Sequence, residues 1–303
     1  MTNISTVNGL PDIVSIQKKV YPLLYSDIVA VQPTSQPIAT AYGFKKSLEA
    51  DDGSGWSKMS FRLDRWHSQV QSNKIKTDIT TEALTDLRAV GGDEDMVVGF
   101  MADWIADEIN QDLLDKLSKI STVGAAITIP GAYEHEQGRA LYGVIHRVVA
   151  ELESTTGATG SYVVVNSRLY GLLLASGWVR KVPETNISEA KSGIIVCNDK
   201  YAVSDYFIVG VKEEFGSTEL SSLVFSPFEF DGDEPGALAY QVTAIDPNSL
   251  HQVYGVIARY AVTAAPLENN TEQTTIYDID WDNLTPAHKS KLSVKHTVTV
   301  QTV

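Results

Sequence analysis

The residue types that most often carry chemistry are present in this chain, but not in the spacings that chemistry requires. Six histidines stand at 67, 135, 146, 251, 288 and 296, and none is paired with another at metal-ligand spacing. Acid and base adjoin at Glu134-His135-Glu136, which reads as the exposed start of a helix rather than as an acid–base pair. Asp278, Asp280 and Asp282 imitate the opening of a calcium loop. Such a loop needs glycine at its sixth position and glutamate at its twelfth, and Asn283 and Lys289 hold those places. Asp231, Asp233 and Glu234 read as a solvated turn ahead of a weak cation site. Gly157 and Gly160 follow a helical pattern instead of opening one, the wrong order for cradling a phosphate. Nucleotide-binding, metalloprotease and serine-hydrolase signatures are missing from the sequence. The one cysteine, Cys197, excludes an internal disulfide and reads as a small buried hydrophobe within Ile194-Ile195-Val196-Cys197. The expectation is a protein with no catalytic residue, no metal and no cofactor.

Binding of nucleic acid fares little better. The tryptophans at 56, 66, 104, 178 and 281 are dispersed, whereas a base-stacking platform interleaves aromatics with cations. Trp56 and Trp66, near Lys58, Arg62 and Arg65, come closest, and packing is the preferred reading there. The net charge of -14 opposes phosphate neutralisation. Its distribution says more: residues 1–80 carry a net +2, residues 81–120 a net -7 and the rest -9. The opening Met1-Thr2-Asn3-Ile4-Ser5 has neither the basic nor the apolar part of a secretory signal. No apolar run approaches the ~20 residues that span a bilayer, so the expected setting is cytoplasm-like, with no membrane partner.

The elements that must position these residues follow from periodicity. Residues 1–44 are punctuated by Pro11, Pro22, Pro33 and Pro37 and read as an irregular arm whose apolar residues need a surface to lie on. Residues 45–80 read as a long hairpin turning at 51–55, with Met59, Phe61 and Leu63 alternating and a second turn at Gln71-Ser72-Asn73. Over 80–120 a long helix is expected, broken at Gly91-Gly92. Its ladder is Val97, Met101, Ile105, Ile109, Leu113 and Leu117, widened by Phe100, Trp104, Leu114 and Ile120. Like charges at Asp103/Asp107 and Glu108/Asp112 weaken that helix in isolation, so a cationic partner is expected to face it. A helix at 134–153 and a short one at 167–175 capped by Asn166 follow, then strands at 194–197, 206–211, 223–230, 237–245 and 253–264. Residues 267–292 look loop-like, and 294–303 alternates like an edge strand.

Several strings, in order, resemble major capsid proteins of the T-even phage type, with the Hong Kong 97 (HK97-like) capsid fold. Val31-Gln32-Pro33-Thr34-Ser35-Gln36-Pro37 and Ala41-Tyr42-Gly43-Phe44 look like that family's arm and the entry to its extended loop. Thr81-Glu82-Ala83-Leu84-Thr85-Asp86-Leu87-Arg88-Ala89-Val90-Gly91 and Glu108-Ile109-Asn110-Gln111-Asp112-Leu113-Leu114 resemble its spine helix. Ser204-Asp205-Tyr206-Phe207-Ile208-Val209-Gly210, Leu223-Val224-Phe225-Ser226-Pro227-Phe228 and Tyr254-Gly255-Val256-Ile257-Ala258-Arg259-Tyr260 look like its late strands. The resemblance implies an α+β fold with an N-terminal arm at 1–44, an extended loop at 45–80, a peripheral domain at 81–124 and 237–266, an axial domain at 125–236 and a C-terminal extension at 267–303. It implies self-assembly as hexamers and pentamers into an icosahedral shell in the virion, assembled in the host cytoplasm and enclosing double-stranded DNA without reading its sequence. A scaffolding protein, a portal and a decoration protein are the implied partners. The family's long N-terminal segment removed in maturation, and its domain inserted after the arm, have no counterpart here. That counts against proteolytic maturation and favours a separate scaffold.

The contact this suggests lies between copies. Lys45, Lys46, Lys58, Arg62 and Arg65, with Trp56, Met59 and Phe61, are expected to lie across Asp103, Asp107 and Glu108 of a neighbour. Lys58 reads as a surface lysine rather than the donor of an isopeptide cross-link. The rival readings are an encapsulin-type compartment, a vertex-specific capsid protein and, from another class, a soluble α/β enzyme.

Overall fold

In a computed structural model, the described residues are 6–7, 10–11, 25–49, 58–89, 91–92, 94–182, 187–215, 218–229, 239–245, 251–265, 275–277 and 279–301. The chain starts with a minimal ladder, β1 (Thr6–Val7) on β2 (Leu10–Pro11), then α1 (Tyr25–Ile28) and β3 (Ala30–Val31). A long hairpin follows, β4 (Ile38–Glu49) on β5 (Lys58–Gln69), and β6 (Gln71–Ile79) leaves it after one residue. Helices α2 (Thr81–Ala89) and α3 (Glu94–Ile120) come next, separated where Gly91 adopts φ +83°. Then come β7 (Ser121–Val123), β8 (Ile127–Ile129), α4 (Glu134–Thr156), β9 (Tyr162–Asn166) and α5 (Ser167–Ala175). The chain continues through β10 (Val179–Lys181), β11 (Ile187–Ala190), β12 (Ile195–Asp199), β13 (Tyr206–Gly210), β14 (Lys212–Phe215), β15 (Thr218–Ser221) and β16 (Leu223–Pro227). It closes with β17 (Ala239–Ile245), β18 (Gln252–Ala264), β19 (Thr275–Ile276), a 3-10 turn at Pro286–His288 and β20 (Ser290–Val300).

Two larger sheets organise these elements. One runs β10-β11-β12-β9-β13-β20-β7, with β8 also on β20. Strands β9 and β13 are buried on both faces, so they read as continuous apolar runs rather than alternating ones. Val163, Val165, Phe207 and Val209 pack under α4 and α5, while Tyr162, Val164, Cys197 and Ile208 join α3 in a second core. The other sheet runs β17-β18-β16-β3, with β6 also paired along Gln252–Tyr260 of β18. Strand β18 sends Tyr254, Val256, Ala258 and Tyr260 into the α3 core at period two.

Local signals are found where they were expected. Asn166 caps α5 by accepting a hydrogen bond from the Leu169 amide at 3.1 Å, and Gly177, just past its end, takes φ +72°. Gly157 ends α4 at φ +74°. Four expectations need correction. The irregular stretch ends before Ile38 rather than at 44, because Ala39 and Ala41 already alternate inward on β4. Gln71-Ser72-Asn73 is strand, not turn: those polar residues occupy a half-exposed strand whose backbone is paired by β18. Strand β20 lies between β13 and β7, not at an edge. Alternation reports which face is covered and carries no information on lateral neighbours. Trp104 is 57% exposed rather than part of the buried stripe of α3.

The segment after residue 274 is tied into the rest. Strand β19 runs parallel to β5 at Arg65 and Trp66, and Ile279 is buried in the α3 core. Lys119 near the end of α3 pairs with Asp282 at 2.8 Å, and Lys289 donates to the Lys119 carbonyl.

Candidate inter-subunit surfaces

The hairpin β4–β5 is anchored at its base, and one of its faces carries exposed apolar side chains. Trp66 is fully buried among the residues of the α3 core, and Asp64 and Ser68 beside it are buried as well. The other parity of the ribbon exposes Ile38, Tyr42, Met59 and Phe61, the last at 57%. Tyr42 sits opposite Arg65, whose guanidinium lies 6.0 Å from the Tyr42 ring centroid. A two-stranded ribbon with one apolar face is marginal in water and calls for a covering surface.

The pairing register divides the expected basic strip. Lys46 pairs with Phe61 and Tyr42 with Arg65, whereas Lys45 pairs with Arg62 and Glu49 with Lys58. Successive positions alternate faces, so Lys46, Met59, Phe61 and Arg65 share one face by register, and Lys45, Lys58 and Arg62 the other. Trp56 lies outside the described residues.

Helix α3 presents the acidic counterpart, also divided. Glu108 is exposed in a stripe with Trp104, Gln111 and Asp115, at the 4-3-4 spacing of one helical face. Asp103 and Asp107 are half-buried beside it, and Asp103 Oδ2 is shut from solvent with no hydrogen-bond partner among the described residues. Asp112 accepts from Lys116 at 2.7 Å and from the Tyr260 hydroxyl at 3.1 Å. Burial, and then the Asp112 charge, push the Tyr260 phenol well above its usual range. Asp115 is paired with Lys119 at 2.9 Å. Among the described residues no ion pair joins Arg65 to Asp103, Asp107 or Glu108 within one chain. Sequence reasoning placed Trp104 inside and passed over Tyr42 as a contact. The 4-3-4 stripe was the available signal for Trp104.

No group of three or more His, Cys, Asp or Glu side chains able to hold a metal occurs among the described residues. No described helix is long and apolar enough to cross a membrane. The Cys197 thiol is fully buried, and burial pushes its pKa far up.

The comparisons decide the family. The sequence model of major capsid protein Gp23 matches residues 45–298. The chain belongs to that family. It is a structural protein of the virion, a capsid subunit of major-capsid type that builds the shell of a phage head with other copies. It is 52% identical over 298 residues to the capsid vertex protein of Vibrio phage KVP40, covering 98% of this chain and 99% of that one. It is 31% identical to the capsid vertex protein of Enterobacteria phage T4, over 77% of this chain and 60% of that one. Against the major capsid protein of the same Vibrio phage KVP40, identity is 24% over 76% of this chain and 50% of that one. Among solved structures, the Mycobacterium phage Che8 structure matches with a TM-score of 0.57 at 11% identity, covering 96% of this chain and 98% of that one. The SrpI encapsulin complex of Synechococcus elongatus matches at 0.54 and 10% identity, covering 98% and 91%. These likenesses show the HK97-like α+β capsid fold, which phage heads and encapsulins share.

Proposed function

We propose that within the shell this chain forms the pentamers at the icosahedral vertices. The observation that supports this is the contrast within one phage: 52% identity along nearly the full length of the KVP40 vertex protein, against 24% with the KVP40 major capsid protein. The family match over residues 45–298 favours a second reading, in which the chain also fills the hexameric faces. High-resolution electron microscopy of intact heads, with this chain's density traced, separates them. Density at the vertices alone supports the first reading, and density on the faces overturns it.

In either position the proposed contact is the same. The apolar face of the β4–β5 hairpin, with Tyr42, Met59, Phe61 and Arg65, lies over a neighbour's α3 at Trp104, Asp107 and Glu108. Apolar burial supplies most of the affinity, and exposed ion pairs, worth about 0–1 kcal/mol each, set the register. In this reading the part built on the eight-stranded sheet takes the axial role around the symmetry axis. The shell encloses double-stranded DNA without gripping it, and a scaffolding protein, a portal and a decoration protein complete the head. The role is structural, with no catalytic step.

A further inference from the structure

A basic sheet edge and an acidic corner lie at opposite ends of helix α4, whose own first turn is acidic at Glu134 and Glu136. At the N-terminal end the Arg139 guanidinium lies 5.6 Å from the Trp178 ring, which packs edge-on against Tyr142 at 5.1 Å. Trp178, Arg180, Lys181 and Lys191 line an open groove of 670 Å³ along β10, with Glu189 as the acid among its lining residues. Strand β10 is the end strand of the eight-stranded sheet, so among the described residues this groove borders an unpaired sheet edge. At the C-terminal end stand Glu151 and Glu153, in a helix whose last turn holds no basic residue. Carboxylates there oppose the helix dipole. Glu213 on β14 adds to them: the Thr159 amide donates to Glu213 Oε1 at 2.9 Å and the Thr159 hydroxyl to Glu153 Oε1 at 3.3 Å. Among the described residues, no ion pair involves Arg139, Arg180, Lys181, Lys191, Glu151, Glu153, Glu213 or Glu214.

Twelve to fourteen residues of helix separate Arg139 from Glu151 and Glu153, a rise of ~20 Å. That exceeds the ~8 Å over which salt screens charges at physiological strength, so the two groups do not satisfy one another within a chain. Between two copies set head to tail they do. A heterologous contact of this kind closes into a ring when its rotation is right, and one chain supplies both halves. Cations on a sheet edge also blunt unwanted strand pairing. That accounts for Arg180 and Lys181 but not for the Trp178-lined groove or for acids kept at the disfavoured end of α4.

We infer that neighbouring copies meet through this pair of surfaces, the Arg139, Trp178, Arg180, Lys181 and Lys191 edge of one copy against the Glu151, Glu153 and Glu213 corner of the next. The inference rests on the shell reading and assigns the contact that closes the ring. The test uses the full chain with paired reversals, R180E/K181E at the edge and E151K/E153K at the corner, and the variant that combines them. Sedimentation velocity gives the concentration at which half the chain is assembled. Each pair alone is expected to raise it about tenfold, and the combination to restore it. Carbodiimide cross-linking of assembled wild-type protein, with half the copies isotope-labelled, needs no variant. Links from Lys181 or Lys191 of one copy to Glu151, Glu153 or Glu213 of another are expected. Unchanged assembly of both reversals, failure of the combination to restore it, or absence of those links in assembled wild type overturns the contact and leaves the shell reading standing. Wild-type protein that stays monomeric at every concentration overturns both.

Discussion

Replacing Gly138 and Gly143 with alanine, one at a time, puts the same methyl group at two places on α4 with opposite expected results. At 138 the added Cβ falls 2.0 Å from the Leu172 carbonyl oxygen, 2.8 Å from its carbon and 3.1 Å from Ser176 Cβ. The neighbours are largely backbone, so relief requires α5 to retreat by more than ~1 Å to reach ordinary packing distance. That helix is pinned by the Asn166 cap and by the buried Leu169, Leu172 and Leu173. Overpacking of this kind costs about 1–3 kcal/mol, and a clash with backbone sits at the upper end. The gain in helix propensity, about 1 kcal/mol, offsets only part of it. Gly143 meets nothing within 4 Å, so alanine there collects the gain alone. The expectation is Gly138→Ala destabilised by about 1–2 kcal/mol and Gly143→Ala stabilised by about 0.5–1 kcal/mol, read from urea unfolding midpoints at unchanged slope. A Gly138→Ala variant as stable as Gly143→Ala would refute the close crossing of α4 and α5. It would also loosen the placement of Trp178, which α5 leads into.

Other outcomes follow from the same geometry. Burial holds the Tyr206 and Tyr260 phenols protonated, with donation to Asp199 and Asp112 adding to the effect. A folded-state pKa above the unfolded value of ~10 means stability is full below that pH and falls as pH rises past it, and Phe at either position should flatten the alkaline limb of the unfolding curve. Phe61→Ala and Met59→Ala should leave the subunit's stability within about 0.5 kcal/mol of wild type, because both are exposed, yet weaken assembly measured by light scattering. Mixing R180E/K181E chains with E151K/E153K chains makes every edge-to-corner contact favourable only when the two alternate. Alternation closes even rings, so electron micrographs of the mixture should show rings of even number, and pentamers should be lost.

Features set by near neighbours in the chain could be read before the fold was known. The Asn166 cap, the Gly91-Gly92 break and the buried face of α4 are of this kind, because each is decided within about one helical turn. The insertion of β20 between β13 and β7 joins residues more than eighty positions apart, and nothing in its alternation points to those partners. The contact residues were legible in type but not in grouping. Lys45 and Lys46 are adjacent in a strand, so they belong to opposite faces, and period-two parity alone would have divided the basic strip. The edge and corner charges around α4 escaped because Trp178 and Arg139 lie on different elements and meet only in the folded chain.

The run of acids on α3 narrows once its internal partners are counted. Asp112 and Asp115 each have a lysine four residues later, the favourable order for such pairs, and Lys119 is further tied to Asp282. The second half of the helix is therefore neutralised at home. Beyond Asp95, exposed in the first turn, what remains for a neighbour's cation is Asp107 and Glu108, beside the exposed Trp104 and the half-buried Asp103. The matching face of the hairpin is the one bearing Phe61, because among the described residues its exposed apolar side chains, Tyr42, Met59 and Phe61, lie there to cover an indole. Arg65 lies on that face, stacked near Tyr42, and Arg62 belongs by register to the other. Charge reversal should then be unequal. Arg65→Glu sets like charges against Glu108 and should raise the concentration needed for assembly several-fold at low salt, with the defect shrinking as salt is added. Arg62→Glu should change it far less. Equal defects from the two variants would mean that the hairpin meets its neighbour edge-on, with both faces engaged, and the face-down docking argued from the register would be abandoned.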